Sequence, residues 1–148
     1  MKNITRFLNK WLAEHDFEVS TKKGDEWCYF YSKSLITYEV GEEMTEQNER
    51  FLEVCRECGL EYEVSLFTLS FFHELGHHET MDDFTDREWA RDEKVKSRVE
   101  NSFDYERMDY TYFHLPSEYC ATEWGVDYIN EHIDEIEKFD EKIKELLW

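Results

Sequence analysis

A glutamate between two histidines stands at metal-ligand spacing in the middle of the chain. His73, Glu74 and His77 form an H-E-x-x-H motif. The segment before it, 66–72, is rich in leucine and phenylalanine and has no glycine or proline, which predicts a helix that runs into the motif. Positions i and i+4 lie on one face of a helix, so both imidazoles can reach the same metal ion. Their neutral nitrogens suit zinc, and Glu74 is placed to take a proton from a water that the zinc activates.

A catalytic zinc site needs a third protein ligand and keeps one further position for water. Glu118 and Glu123, on a helix predicted after Pro116, lie about 140° apart around that helix, so only one of them can face the motif helix. The face of Glu118 also carries small side chains that allow close helix packing: Ala121, Thr122 and Gly125. We therefore predict Glu118 as the third ligand. Glu123 is the alternative, which Asp127 one turn later would orient.

Two segments carry a pattern that is wider than the ligands themselves. The first is F-T-L-S at 67–70 with H-E-L-G-H at 73–77, and the second is E-Y-C-A-T-E-W-G at 118–125. Together they resemble the ImmA/IrrE family of metallopeptidases, which pairs an F-T-x-A-H-E-L-G-H helix with a later E-x-x-A-x-x-F-A helix. This chain differs in having Phe71-Phe72 before the first histidine and Trp124-Gly125 in place of Phe-Ala.

The resemblance has implications for the fold, the site and the substrate. It implies a minimal zincin-like metallopeptidase domain over residues 1–148, of the HExxH type. It implies zinc held by His73, His77 and Glu118, with Glu74 as the catalytic acid and base. Members of the family often act on repressor proteins of mobile elements, so a protein substrate, such as a repressor or other DNA-binding protein, and a viral or mobile-element origin are expected.

The rest of the sequence predicts one α+β domain that is mostly helical. Helices are predicted at 3–15, 43–58, 65–79, 85–101, after Pro116 and at 131–148. Two aromatic and β-branched runs, 27–31 and 35–40, predict a hairpin and hence a small antiparallel sheet packed on the motif helix. An extended substrate could pair with the edge of strand 35–40. Residues 21–25 are interpreted as a turn, and Ser117 is the predicted N-cap of its helix.

Charge narrows the choice of partner. The chain has 17 Lys and Arg against 36 Asp and Glu, a net charge of −19. Binding to nucleic acid phosphates or to anionic membranes needs clustered cations, so neither is expected. A basic partner is favoured instead. The alternative to an enzyme is therefore an acidic, zinc-binding but non-proteolytic interaction protein that engages a basic DNA-binding host or phage protein, for example by mimicry of nucleic acid. A third interpretation is a metal-free domain in which the motif is coincidental.

The distribution of apolar residues along the chain bears on the location of the protein. The first eleven residues contain no continuous apolar run, and no apolar stretch approaches the length of a membrane span. These features predict a cytoplasmic protein without a membrane segment.

Tyr112, His114 and Tyr119 lie near Glu118 in the sequence and could stabilise an oxyanion, but a structural role is the preferred interpretation for each.

Overall fold

Helices dominate the molecule, as the sequence predicts. The computed structural model describes residues 2–41, 45–100 and 111–147. Six helices of at least twelve residues lie in these ranges: α1 (Lys2–Glu14), α2 (Glu46–Glu57), α3 (Leu66–Thr80), α4 (Asp86–Glu100), α5 (Pro116–Glu131) and α6 (Ile133–Leu147). Together with a small sheet they confirm the mostly helical α+β class. Over these same residues, no helix combines the length and the apolar character that a membrane crossing requires.

The sheet has three strands in the order β1-β3-β2, where β1 is Ser20–Lys23, β2 is Cys28–Phe30 and β3 is Leu35–Tyr38. Strands β2 and β3 form the predicted antiparallel hairpin. Strand β1 pairs with β3 in parallel, so the sheet is mixed and the prediction of an antiparallel sheet was incomplete. The prediction of a turn over 21–25 was wrong for its first part, because 21–23 belong to β1. Strand β3 lies in the centre, so the edge available to a substrate is not the one that we predicted.

Strand β1 escaped prediction because its sequence lacks an apolar pattern. It reads Ser-Thr-Lys-Lys, and only Thr21 is buried. The strand is held from outside the sheet: the side-chain oxygen of Asn9 on α1 accepts hydrogen bonds from the Thr21 backbone N–H at 2.8 Å and from its hydroxyl at 2.9 Å. Long-range pairing and a side-chain contact, not local propensity, therefore define β1.

An aromatic core lies behind α3 and fixes the orientation of this helix. The rings of Phe71 and Phe72 pack against Trp11 of α1, with centroids 6.1 and 5.5 Å apart. Phe139 of α6 lies within 5.3 Å of both phenylalanine rings, and Tyr128 of α5 stacks on Phe72 at 5.3 Å. Because one face of α3 packs against this core, the H-E-x-x-H side chains lie on the other face. The predicted helix that runs into the motif is confirmed, and most of its residues are buried.

Helices α3 and α5 pack with their backbones almost in contact. A Cβ atom on Gly76 of α3 would lie 2.3 Å from the carbonyl oxygen of Ala121, and one on Gly125 of α5 would lie 2.9 Å from the carbonyl oxygen of Phe72. Real Cβ contacts are longer than this, so only glycine fits at either position. The close approach brings the side chains of the two helices together at the site.

The N-terminus of α5 is capped by another helix. Leu115 occupies the N-cap position without a side-chain hydrogen bond, and Pro116 follows at the first helical position. Our prediction of Ser117 as N-cap was therefore wrong; its hydroxyl is buried without a hydrogen-bond partner. The backbone N–H of Ser117 instead donates to Asp92 of α4 at 3.0 Å. Because this carboxylate is remote in sequence, local patterns could not reveal it.

Candidate metal centre

Three donor groups from α3 and α5 converge on one point. The Nε2 atoms of His77 and His73 lie 2.6 and 3.1 Å from the same oxygen, Oε2 of Glu118. One ligand atom from each residue falls within 4.8 Å of the other two. The three side chains are buried, with 8%, 8% and 2% of their residues' surfaces exposed for His73, His77 and Glu118. This buried group could bind a metal ion, and its donor set is two nitrogens and one carboxylate oxygen.

Thr122 fixes the tautomer of His73. The Thr122 hydroxyl donates to the backbone carbonyl of Glu118 at 3.1 Å, one turn earlier on α5. Its oxygen lies 2.9 Å from Nδ1 of His73. Since the hydroxyl proton is used on the carbonyl, the oxygen accepts a hydrogen bond from Nδ1–H. The lone pair of the neutral ring is then on Nε2, the atom that faces Glu118, which is the tautomer that a metal ligand needs.

Lys96 holds the second oxygen of the Glu118 carboxylate. Its Nζ atom lies 3.2 Å from Oε1, so the oxygen facing the histidines is Oε2 alone. Burial raises the pKa of Glu118, but the imidazoles of His77 and His73 outweigh burial and hold this pKa well below its usual range. Lys96 lies one turn after Asp92, so α4 contacts α5 twice through one face. Neither residue was predicted from the sequence, although their i, i+4 spacing in a charged helix is visible there.

Glu74 is a buried carboxyl group without a partner. Only 7% of the residue is exposed, and no hydrogen bond or ion pair from the described residues reaches its carboxyl group. Burial raises the pKa of Glu74 to about 7, with Glu118 adding to the effect and His73 opposing it. A carboxyl group with this pKa can both accept and donate a proton near neutral pH.

Two cavities border Glu74. A cavity of about 660 Å³, the large cavity, is lined by His77 and Glu118, and a cavity of about 260 Å³, the small cavity, is lined by His73. Glu74, Trp27 and Tyr112 line both of them. The two cavities therefore meet Glu74 through a shared set of lining residues.

Tyr112 is the one aromatic candidate that the structure places at the site. Burial, followed by the adjacent Glu118 carboxylate, to which it is hydrogen-bonded, raises the pKa of the Tyr112 hydroxyl, which therefore remains a protonated donor. His114 instead lies 2.9 Å from Glu57 and stacks on Tyr119. A structural role was the preferred interpretation for Tyr112, but the residue contacts Glu118 at the site. Its short separation from Glu118 in the sequence was the signal that could have indicated this contact.

The remaining candidates lie away from the ligand group. Glu123 and Asp127 are exposed on α5 and do not approach the histidines, so the structure brings Glu118 and not Glu123 to the motif. His78, the neighbour of the motif, accepts or donates a hydrogen bond at 2.9 Å with the hydroxyl of Tyr29. It points away from the metal ligands, as its position on the helix predicts.

Cys28 lines the large cavity, and the raised pKa of its thiol does not favour a role as a nucleophile. Burial, followed by the carboxylate of Glu74, raises the pKa of its thiol. A thiol of this kind stays protonated at neutral pH and is a poor nucleophile. The chemistry that the site favours therefore centres on the three ligands and Glu74.

No protein-family model matches the chain, and comparisons with curated proteins and with solved structures give no match. The resemblance to the ImmA/IrrE family remains a prediction that rests on the residues of the two motifs. Any functional conclusion must come from the geometry of the site itself.

Proposed function

We propose that this protein is a zinc-dependent metallopeptidase that hydrolyses peptide bonds of a protein substrate. In this proposal His73, His77 and Glu118 hold the zinc, and Glu74 is the catalytic acid and base. The observation that carries the proposal is the position of Glu74. A buried carboxyl group that no hydrogen-bond donor among the described residues reaches lies beside a convergent ligand group and borders two cavities.

The donor set favours zinc among the available metals. Two imidazole nitrogens and one carboxylate oxygen are a common protein ligand set for catalytic zinc, which keeps its last position open. Calcium and magnesium prefer sites built from oxygen atoms alone. When bound, zinc supplies Lewis-acid polarisation of a carbonyl oxygen and lowers the pKa of water.

In this proposal one side chain transfers protons and others hold the zinc ligands in position. Glu74 takes a proton from the attacking water and later gives it to the departing amine, and a pKa of about 7 suits both tasks. The Tyr112 hydroxyl donates to the Glu118 carboxylate and helps to hold this ligand beside the histidines. Lys96 and Thr122 keep Glu118 and His73 in position.

Substrate binding is proposed at strand β2 rather than at β3. Strand β2 pairs with β3 alone among the described strands, and its residues Cys28 and Tyr29 line the large cavity. An extended peptide that adds to this edge through main-chain hydrogen bonds would be directed towards Glu74. This replaces the predicted role of strand 35–40, whose two edges are both paired.

The test combines zinc analysis with one substitution. The purified protein should contain zinc, and it should cleave members of a pool of random short peptides, read by mass spectrometry. Glu74→Gln should retain zinc and lose about a thousandfold in cleavage rate, because the proton carrier is gone. Glu79→Gln, on the exposed part of the same helix, is the matched control and should cleave normally. Absence of zinc, or full cleavage by Glu74→Gln, would contradict the proposal.

The second candidate is the acidic zinc-binding interaction protein without proteolytic activity. The net charge of −19 favours it, because a surface of this sign attracts basic, DNA-binding partners. Glu74→Gln distinguishes the two functions. If the effect of the protein on its host survives this substitution, the protein acts by binding.

A further inference from the structure

The large cavity combines aromatic walls with carboxylate groups. Its aromatic lining comes from the hairpin and from the segment around the start of α4: Trp27, Tyr29, Tyr31, Phe84 and Trp89. Several of these rings are held in place. The indole N–H of Trp89 donates to the backbone carbonyl of Met81 at 3.3 Å, and its ring packs on Phe84 with centroids 5.6 Å apart. Rigid aromatic faces favour flat or cationic groups that can stack on them.

The carboxylates of this cavity outnumber its cations. Asp82, Asp86 and Glu93 line it in addition to the two glutamates of the site, whereas Lys96 is the one cationic side chain that the described part of the chain contributes to the lining. Lys96 is already engaged by Glu118 at 3.2 Å, and Glu93 lies 4.0 Å from the same ammonium group. A bound divalent cation would still leave carboxylates in excess.

Two of these carboxylates are available to a ligand. Asp82 and Asp86 are exposed, and no ion pair with another described residue involves either of them. Glu74, which is buried and receives no hydrogen bond from the described residues, borders the same cavity. An aromatic cleft with unpaired carboxylates is the environment that binds a guanidinium or ammonium group, through stacking and charge-assisted hydrogen bonds.

We propose that the large cavity is a specificity pocket for a basic side chain of the substrate, next to the bond that is cleaved. Arginine is preferred to lysine, because a planar guanidinium can stack on the aromatic walls while it donates to Asp82 and Asp86. The pocket rests on the proposed peptidase function for the position of the scissile bond. It extends that function by naming the substrate class: basic segments of proteins.

The test uses a pool of random short peptides in two separate measurements. In the first, the zinc-loaded wild-type protein cleaves the pool, and mass spectrometry identifies the residues that flank each cleaved bond. In the second, immobilised zinc-loaded Glu74→Gln captures peptides from the same pool without cleaving them. Both measurements should enrich arginine and, to a lesser degree, lysine at one fixed position.

A charge-matched pair of variants assigns the preference to the pocket. Asp82→Asn/Asp86→Asn should lower the preference for an arginine peptide over its citrulline analogue by about five- to tenfold, as expected for two partly exposed ion pairs. Glu137→Gln/Glu141→Gln removes the same charge from the exposed face of α6 and should leave the preference unchanged. Added salt should weaken the wild-type preference and not that of the aspartate variant.

The two measurements separate failure of the pocket from failure of the enzyme. Cleavage without enrichment of basic residues would overturn the pocket and leave the peptidase intact. Capture of basic peptides that depends on Asp82 and Asp86, without cleavage by the wild type, would support the pocket and contradict the peptidase. Capture that is absent, or that the aspartate substitutions do not alter, would overturn the pocket whatever the outcome for cleavage.

Discussion

Asp140 and Glu74 are both buried along α3, but their surroundings are opposite in character. At the N-terminal end, Asp140 of α6 accepts hydrogen bonds from the backbone N–H and hydroxyl of Ser65 and from the hydroxyl of Thr68, and it forms an ion pair with Lys144. Burial raises the pKa of Asp140, but these partners outweigh burial and lower it. Glu74, in the middle of the helix, has no such partner among residues 2–41, 45–100 and 111–147, and burial raises its pKa to about 7.

The difference distinguishes an anchor from a reactive group. A buried carboxylate with several donors holds secondary structure in place, because its desolvation is offset by hydrogen bonds. A buried carboxyl group without donors destabilises the fold, so its presence needs another reason. At Glu74 the reason that we propose is proton transfer, since a perturbed pKa beside a cavity and a ligand group is typical of functional sites.

The largest effect on stability is expected from a substitution that adds a side chain where α3 and α5 pack most closely. In Gly76→Ala the new methyl group would meet the carbonyl oxygen of Ala121 at 2.3 Å, so the helices must separate. We expect the free energy of unfolding to fall by about 3 kcal/mol. Zinc affinity should fall as well, because Glu118 is displaced from the histidines. Urea denaturation and zinc titration measure both effects.

A matched control for this substitution is Glu79→Ala, on the exposed part of the same helix. Glu79→Ala should change neither the free energy of unfolding nor the zinc affinity. Normal zinc affinity in folded Gly76→Ala would show that close packing of α3 and α5 is unnecessary for the site.

Removal of the two carboxyl groups should change stability in opposite directions. Asp140→Ala leaves the donors of Ser65 and Thr68 unsatisfied, so the free energy of unfolding should fall by about 2 kcal/mol, with zinc affinity retained. Glu74→Met removes an unpartnered buried group, so the metal-free protein should gain about 1 kcal/mol at neutral pH. Urea denaturation in the presence of a chelator measures both. Destabilisation by Glu74→Met would show that Glu74 has a structural partner.

A smaller effect should appear in the pH dependence of stability. The pKa of Asp140 is lowered by folding, so its contribution is complete above the unfolded value and is lost as pH falls through the folded value. The pKa of Glu74 is raised from 4.5 to about 7, so the unfolded chain ionises first and the metal-free protein loses stability as pH rises across that interval. Glu74→Gln should abolish this loss, and Asp140→Asn should flatten the acidic limb instead. Identical pH profiles for the wild type and Glu74→Gln would contradict the assignment.

The sequence predicted those parts of the molecule that local spacing controls. The i, i+4 histidines and the apolar residues before them defined α3, and the small face of α5 distinguished Glu118 from Glu123. Both inferences depend on helix periodicity, which is a property of short segments. The hairpin followed from aromatic and β-branched runs for the same reason.

The parts that escaped prediction depend on contacts between distant segments. Strand β1 has no apolar alternation and exists through pairing with β3 and the hydrogen bonds that Thr21 donates to Asn9. Asp92 and Lys96 act on α5 from a helix that the sequence presents only as charged and solvent-facing. The unpartnered state of Glu74 is also invisible in the sequence, since it depends on the absence of donors from the surrounding described residues.

The most direct test of the account is the zinc affinity of two glutamate variants on α5. In competition with a chromophoric chelator, wild-type protein and Glu123→Ala should each bind one zinc ion with equal affinity. Glu118→Ala should bind more weakly by at least about a hundredfold, beyond the loss expected for a residue that only orients a ligand. Equal affinity of Glu118→Ala and wild type, or selective loss in Glu123→Ala, would contradict the metal centre proposed for His73, His77 and Glu118.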